Sequence, residues 1–216
     1  MPNYYPILKA FLLLSEIAAA IVGLYYFPKL KDNHWKLFVY YLILIASQEC
    51  FWHIDFGIDS EIKNLYYAYV GFPVQYIFFY WLYSKSLKNK KIFLYSTTFY
   101  LSTYIPIVLF TSRWTKVYSP NITIGTLALF VLVILEFKKQ IRDDSILHFY
   151  KNNMFYINLG IILLYIGTFP LFCFYITLAR EYFEIWLVYF TYFLVANILM
   201  YSLFALSFIW GKHHLK

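Results

Sequence analysis

The chain predicts an all-α membrane protein, a seven-transmembrane-helix bundle with its amino terminus outside and its carboxyl terminus in the cytoplasm. Three observations predict it. The composition is 62% hydrophobic, 25% aromatic and only 13% charged, where soluble domains carry roughly 25% charged residues. The apolar residues run in continuous stretches rather than alternating, which favours helices over a barrel. The basic residues gather in alternate connections. Thirteen Lys and Arg fall on one side of the predicted bundle and five on the other, and the positive-inside rule places the richer side in the cytoplasm.

Taken in order, the spans are Tyr5–Phe27, Trp35–Phe56, Asn64–Ser84, Ile92–Ser112, Asn121–Phe137, Met154–Arg180 and Glu184–Gly211. Each is long enough for about 30 Å of hydrocarbon at about 1.5 Å per residue, the fifth being the shortest. The first lacks a basic leader and carries Glu16, so it is expected to stay as a span and not to be cleaved. Lys29, Lys31 and Lys36 follow it. Lys85, Lys88, Lys90 and Lys91 follow the third, and Lys138, Lys139, Arg142 and Lys151 the fifth, with Lys212 and Lys216 in the tail. Asp55, Asp59, Glu61, Glu181 and Glu184 lie opposite, with Lys9, Lys63, Arg113, Lys116 and Arg180. Trp35, Trp52, Trp81, Trp114, Trp186 and Trp210 all fall near span ends, where indole rings prefer the interface. The 138–153 connection reads as a solvated linker, with a short interfacial helix as the alternative. The whole chain is one domain.

Several functions are disfavoured. The bases are scattered among short loops, so the net charge of +7 is no nucleic-acid signal. No glycine-rich phosphate loop, Ser/His/Asp set or multi-histidine pattern is present, and the seventh span has no lysine for a retinal linkage. No enzyme activity and no cofactor is expected. Asn121-Ile122-Thr123 is a formal glycosylation sequon without meaning in a bacterium. Cys50 and Cys173 read as buried thiols, able to pair only if the second and sixth spans touch.

The polar residues inside the spans carry the functional argument. Counted at about 1.5 Å per residue, Glu16 and Gln75 lie roughly 16 Å below the outer surface, Asn197 roughly 20 Å and Glu49 roughly 10 Å. Acids are costly in a bilayer and face the bundle interior or a wet cavity. Glu16, Glu49, Gln75 and Asn197 are therefore expected to form one interior cluster, binding a ligand or proton. The alternative is interhelical glue, each group hydrogen-bonded to its neighbours. Two carboxylates in low dielectric resist ionising together, which would make the cluster respond to pH. His53 stands one turn from Glu49, a spacing compatible with metal ligation. Without a second histidine in a span, it reads better as an interfacial neighbour. Pro73, Pro106 and Pro170 fall within spans and could open a cavity by kinking them. Ser15, Ala19 and Gly23 give the first span a smooth strip for close packing, with Glu16 at its border.

Three stretches carry a resemblance. They are Ser15-Glu16-Ile17 through Tyr25-Tyr26-Phe27 with Trp35-Lys36, Leu159-Gly160-Ile161 through Phe169-Pro170, and Asn197 through Tyr201 with Phe208-Ile209-Trp210-Gly211-Lys212. Together they resemble short seven-span proteins of the Bacteroidota. The resemblance implies the topology and a bacterial inner membrane, but no activity. More loosely, the architecture is similar to the seven-span sensor modules of bacterial histidine kinases. The chain departs from those by ending at Lys216 without an output domain, so sensing would require a cytoplasmic or membrane protein partner. The expectation is a sensor or receptor-like membrane protein with an outward-facing polar cluster and an unknown small-molecule ligand. A small proton-coupled or solute transporter and a structural membrane subunit are the alternatives. Pro73-Val74-Gln75 only partly matches the Pro-Gln motif of seven-span carriers.

Overall fold

The computed structural model describes residues 2–54, 59–105, 118–143 and 149–211. Among them the regular structure is helical and contains no strand. The helices are α1 (Tyr5–Tyr26), α2 (Asn33–His53), α3 (Ser60–Tyr66), α4 (Phe72–Ser86), α5 (Lys90–Ser102), α6 (Tyr118–Arg142), α7 (Asn153–Ile161), α8 (Phe169–Cys173), α9 (Tyr175–Glu181) and α10 (Phe183–Trp210). Among the described residues, four stretches, Tyr5–Lys29, Pro120–Arg142, Asn153–Cys173 and Phe183–Trp210, are long and apolar enough to cross a membrane.

The helices differ from their predicted spans in instructive ways. α3 and α4 join through a π-helical turn, Tyr67–Gly71, and α7 runs into a second, Ile162–Ile166. Each turn precedes a proline, Pro73 or Pro170. Proline cannot donate to the carbonyl four residues back. Next to both prolines the chain uses bonds that reach five residues back, Phe72 N–H to the Tyr67 carbonyl and Gly167 N–H to the Ile162 carbonyl. Such bulges re-aim side chains and recur at functional sites. The predicted sixth span, Met154–Arg180, is consequently not one straight helix. It breaks after Ile166 and again at Phe174, whose φ of −116° and ψ of 21° are not helical. α2 ends at His53, before the predicted Phe56. α6 continues past the predicted Phe137 to Arg142. Pro106, Arg113, Trp114, Lys116, Asp55, Lys212 and Lys216 lie outside the described residues, as do residues 106–112 of the predicted fourth span.

Side-chain contacts fix the directions in which the helices run. Tyr5 at the start of α1 donates to the Leu187 carbonyl near the start of α10 (3.1 Å), so these neighbours are parallel. α2 runs against α1: Lys36 reaches the Phe27 ring near their joint, while Glu16 and Glu49 line one cavity further along. α4 runs alongside α6, because Tyr76 bonds the Ile122 carbonyl (3.0 Å) while Ser86 reaches Glu136. α7 opposes α4, with Tyr83 on Asn158 and Tyr165 on Gln75. The smooth strip of α1 does what its small residues allow. Ala19 and Gly23 are buried, and a Cβ on Gly23 would stand 3.3 Å from Val39 and 3.6 Å from Phe208.

The centre is an aromatic layer. Tyr41 stacks on Phe78 with ring centroids 4.1 Å apart, Phe38 stacks on Phe208 at 5.5 Å, and Phe204 meets Phe38 at 5.3 Å and Phe79 at 6.1 Å. Offset and edge-on ring pairs add to the stabilisation that burial provides. Trp35 and Trp186 are buried rather than displayed at an interface, whereas Trp210 is exposed. Trp186 stacks on Phe190 at 4.9 Å.

Below this layer lies a second polar group. Glu136, 1% exposed, accepts on Oε1 from Ser86 (2.9 Å) and pairs with Lys139 at 3.5 Å. Lys139 also donates to the Ser86 carbonyl at 2.8 Å. Tyr83 donates to Asn158 Oδ1 at 2.6 Å, while Asn158 Nδ2 has no partner. Tyr83→Phe removes the bond and leaves the buried amide poorer still. A loss of about 1–2 kcal/mol is expected, measured as a lower unfolding midpoint in detergent or nanodiscs.

Candidate binding cavity

The two π-helical turns frame a cavity of about 360 Å³, lined also from α1, α2, α3, α4, α6, α8 and α10. Small-molecule sites are commonly 300–1,000 Å³. All five polar residues singled out in the sequence line it, namely Glu16, Glu49, His53, Gln75 and Asn197. Counting residues along separate helices thus located a set of side chains that share one space.

Each polar group is held differently. Glu49 Oε1 accepts from the Tyr67 hydroxyl at 2.5 Å and from Gln48 Nε2 at 3.2 Å. Tyr66 in turn donates to Gln48 Oε1 at 2.9 Å. The π turn Tyr67–Gly71 places the Tyr67 ring here, and Gly71 leaves room for it, since a Cβ would meet that ring at 2.9 Å. Gln75 Oε1 accepts from Tyr165 at 2.8 Å, a residue delivered by the second π turn. Asn197 Nδ2 turns back to the Phe193 carbonyl of its own helix at 3.1 Å. Glu16 is the exception. It is 5% exposed, and its Oε2 has no hydrogen-bond partner.

His53 is exposed at the rim, beside half-buried Trp52. Among the described residues no three His, Cys, Asp or Glu converge as a metal site would require. Cys50 and Cys173 are both free thiols and line no part of the cavity.

The sequence reading missed two kinds of lining residue. Lys9 and Lys63 enter the sequence reading only as bases on the outer side, yet both line the cavity. Lys9 lies seven residues before Glu16, two helical turns away on the same face. That spacing was available as a signal. The aromatic walls, including Phe72, Phe172, Phe190, Phe193 and Tyr201, could not be picked out from so many aromatic residues. Glu136 and Asn158, buried beyond the aromatic layer, also went unmarked. They line no part of the cavity.

No protein-family model, curated protein or solved structure matches the chain.

Proposed function

We propose that the chain is a seven-span membrane protein of sensor or receptor-like type, which binds a small molecule in its intramembrane cavity. The observation that carries this reading is Glu16, which lines the cavity together with Glu49, Gln75 and Asn197 and whose buried Oε2 has no partner among the described residues. Interhelical glue predicts the reverse, a closed cluster with every group paired, because an unmade bond on a buried acceptor costs about 1–3 kcal/mol. The parallel pairing of α1 with α10 supports an odd number of crossings between them. The excess of bases on the connections at the far end from the cavity supports a cytoplasmic location for that end. With the resemblance to Bacteroidota proteins, the proposed location is the bacterial inner membrane. The basic connections offer a cytoplasmic or membrane partner its contact.

A second reading, a small carrier, draws on one observation. Two Pro-interrupted helices with π turns flank the cavity, and broken helices of this kind hold substrates in transporters. The aromatic layer of Phe38, Phe79 and Phe204 lies between the cavity and the Glu136 group, so the carrier reading requires that layer to part.

The test uses the full chain purified in detergent. Native mass spectrometry is expected to show a co-purifying small molecule that Glu16→Gln and Glu49→Gln each lose while keeping the parent's elution profile. Thermal stability against pH is expected to change shape in both variants. If both fold normally and neither ligand content nor pH response changes, the ligand-binding reading fails.

A further inference from the structure

The cavity has an order of charge along its length. Lys9, exposed, and Lys63, half-buried, lie at the end where α1 begins and α2 finishes. Glu16 lies two helical turns deeper on α1, about 10 Å along the axis from Lys9. Between and around them the walls are aromatic, with Trp52, Tyr67, Tyr165, Phe172 and Phe190 among the lining residues. We infer that the cavity takes a small zwitterion, its ammonium held at depth by Glu16 and Glu49 and its acidic group turned to Lys9 and Lys63 at the mouth. This deepens the ligand-binding reading and rests on it.

Three features select that chemistry. Glu16 lines the cavity, and its buried Oε2 has no hydrogen-bond partner among the described residues. A carboxylate accepts, and an ammonium brings three donors. The rings suit a cation, which is drawn to their faces. Lys63 Nζ already stands 5.8 Å from the Trp52 ring and 6.0 Å from the Tyr67 ring. A bare metal ion fits less well, because hard cations gather several oxygens. Three carbonyls of the two π turns already accept side-chain hydrogen bonds. Tyr104 bonds the Ala68 carbonyl at 2.8 Å, Tyr192 the Leu163 carbonyl at 2.8 Å, and Thr168 the Leu164 carbonyl at 2.5 Å. The mouth lysines then account for the other end, since an amine alone would meet two like charges on entry.

A zwitterion of this kind can come free from solution or as the phosphoethanolamine headgroup of a membrane lipid. The experiment titrates the full chain in nanodiscs with ω-aminohexanoate, hexylamine and hexanoate, reading affinity by calorimetry. ω-Aminohexanoate is expected to bind, hexylamine to bind about tenfold more weakly, and hexanoate not to bind. Glu16→Gln is expected to weaken ω-aminohexanoate by at least about tenfold. Lys9→Met, at an exposed position, is expected to fold as the parent does and to bring ω-aminohexanoate towards hexylamine's affinity. Hexanoate binding as well as hexylamine, an unchanged preference in Lys9→Met, or no binding by any of the three overturns the inference. If the co-purifying molecule is still lost in Glu16→Gln, the ligand-binding reading survives that failure. Repeating the titration in phosphatidylethanolamine and in phosphatidylglycerol discs separates the sources. Competition confined to the former supports the inference with the headgroup as ligand, and equal affinity supports it with a free zwitterion.

Discussion

With no ligand present, the Glu16→Leu protein unfolds at a higher temperature than its parent, and it binds nothing in the cavity. The expected gain is about 1–3 kcal/mol, because the substitution removes a buried acceptor whose Oε2 has no partner. Leucine is close to glutamate in volume, so the cavity's shape at that wall is largely kept. Burying a polar group without compensation is a cost that folding alone does not explain, and replacing such groups by apolar ones is often neutral or stabilising. The sign of the change is the point of the experiment. If Glu16 ties α1 to its neighbours, Glu16→Leu lowers the unfolding temperature. If the carboxylate is kept for a ligand, stability rises as binding vanishes, the usual trade at functional sites. Thermal unfolding in nanodiscs, with and without the co-purified molecule, measures both.

Gly125→Leu is expected to damage the fold severely. A Cβ on Gly125 would stand 2.8 Å from two atoms of the Tyr76 ring and 2.9 Å from a third. The ring cannot swing away, because Tyr76 is fully buried and its hydroxyl bonds both the Ile122 carbonyl at 3.0 Å and Thr126 Oγ1 at 2.9 Å. Tyr80 adds a bond to the Gly125 carbonyl itself at 3.0 Å. A leucine must therefore push α6 away from α4 and break all three bonds. Overpacking alone costs about 1–3 kcal/mol, and the lost bonds add to it. The expected result is aggregation on size-exclusion chromatography, with Gly125→Ala giving an intermediate loss of stability.

The helical fold and the inner cluster were legible because the membrane reverses the usual background. In a soluble chain an isolated Glu or Asn says little. In an apolar run Glu16, Glu49, Gln75 and Asn197 stand out, and all four line one cavity. What stayed hidden had physical causes. The π turns at Tyr67–Gly71 and Ile162–Ile166 arise from prolines combined with packing, and a proline alone does not reveal whether a helix kinks or adds a residue to its turn. Glu136 lies close to Lys138 and Lys139, so it resembled the charged end of a span rather than a buried group. Tyrosine serves equally as core, interface and hydrogen-bond donor. Nothing in the sequence separates Tyr67 or Tyr83 from the other tyrosines until partners are seen. Lys9 and Lys63 were misjudged for a related reason, since long basic side chains at helix ends usually reach for water rather than a cavity.

The aromatic layer formed by Phe38, Tyr41, Phe78, Phe79, Phe204 and Phe208 has an electrical consequence. If the chain crosses a membrane as proposed, a low-dielectric slab between the cavity and the Glu136 group is where the membrane voltage drops most steeply. Moving one elementary charge through the full drop involves about 2.3 kcal/mol per 100 mV. A cation resting beside Glu16, above the slab, would experience only a small share of that field, so its occupancy should barely follow the membrane potential. Any step that carried charge past Phe79 towards Glu136 would feel nearly all of it.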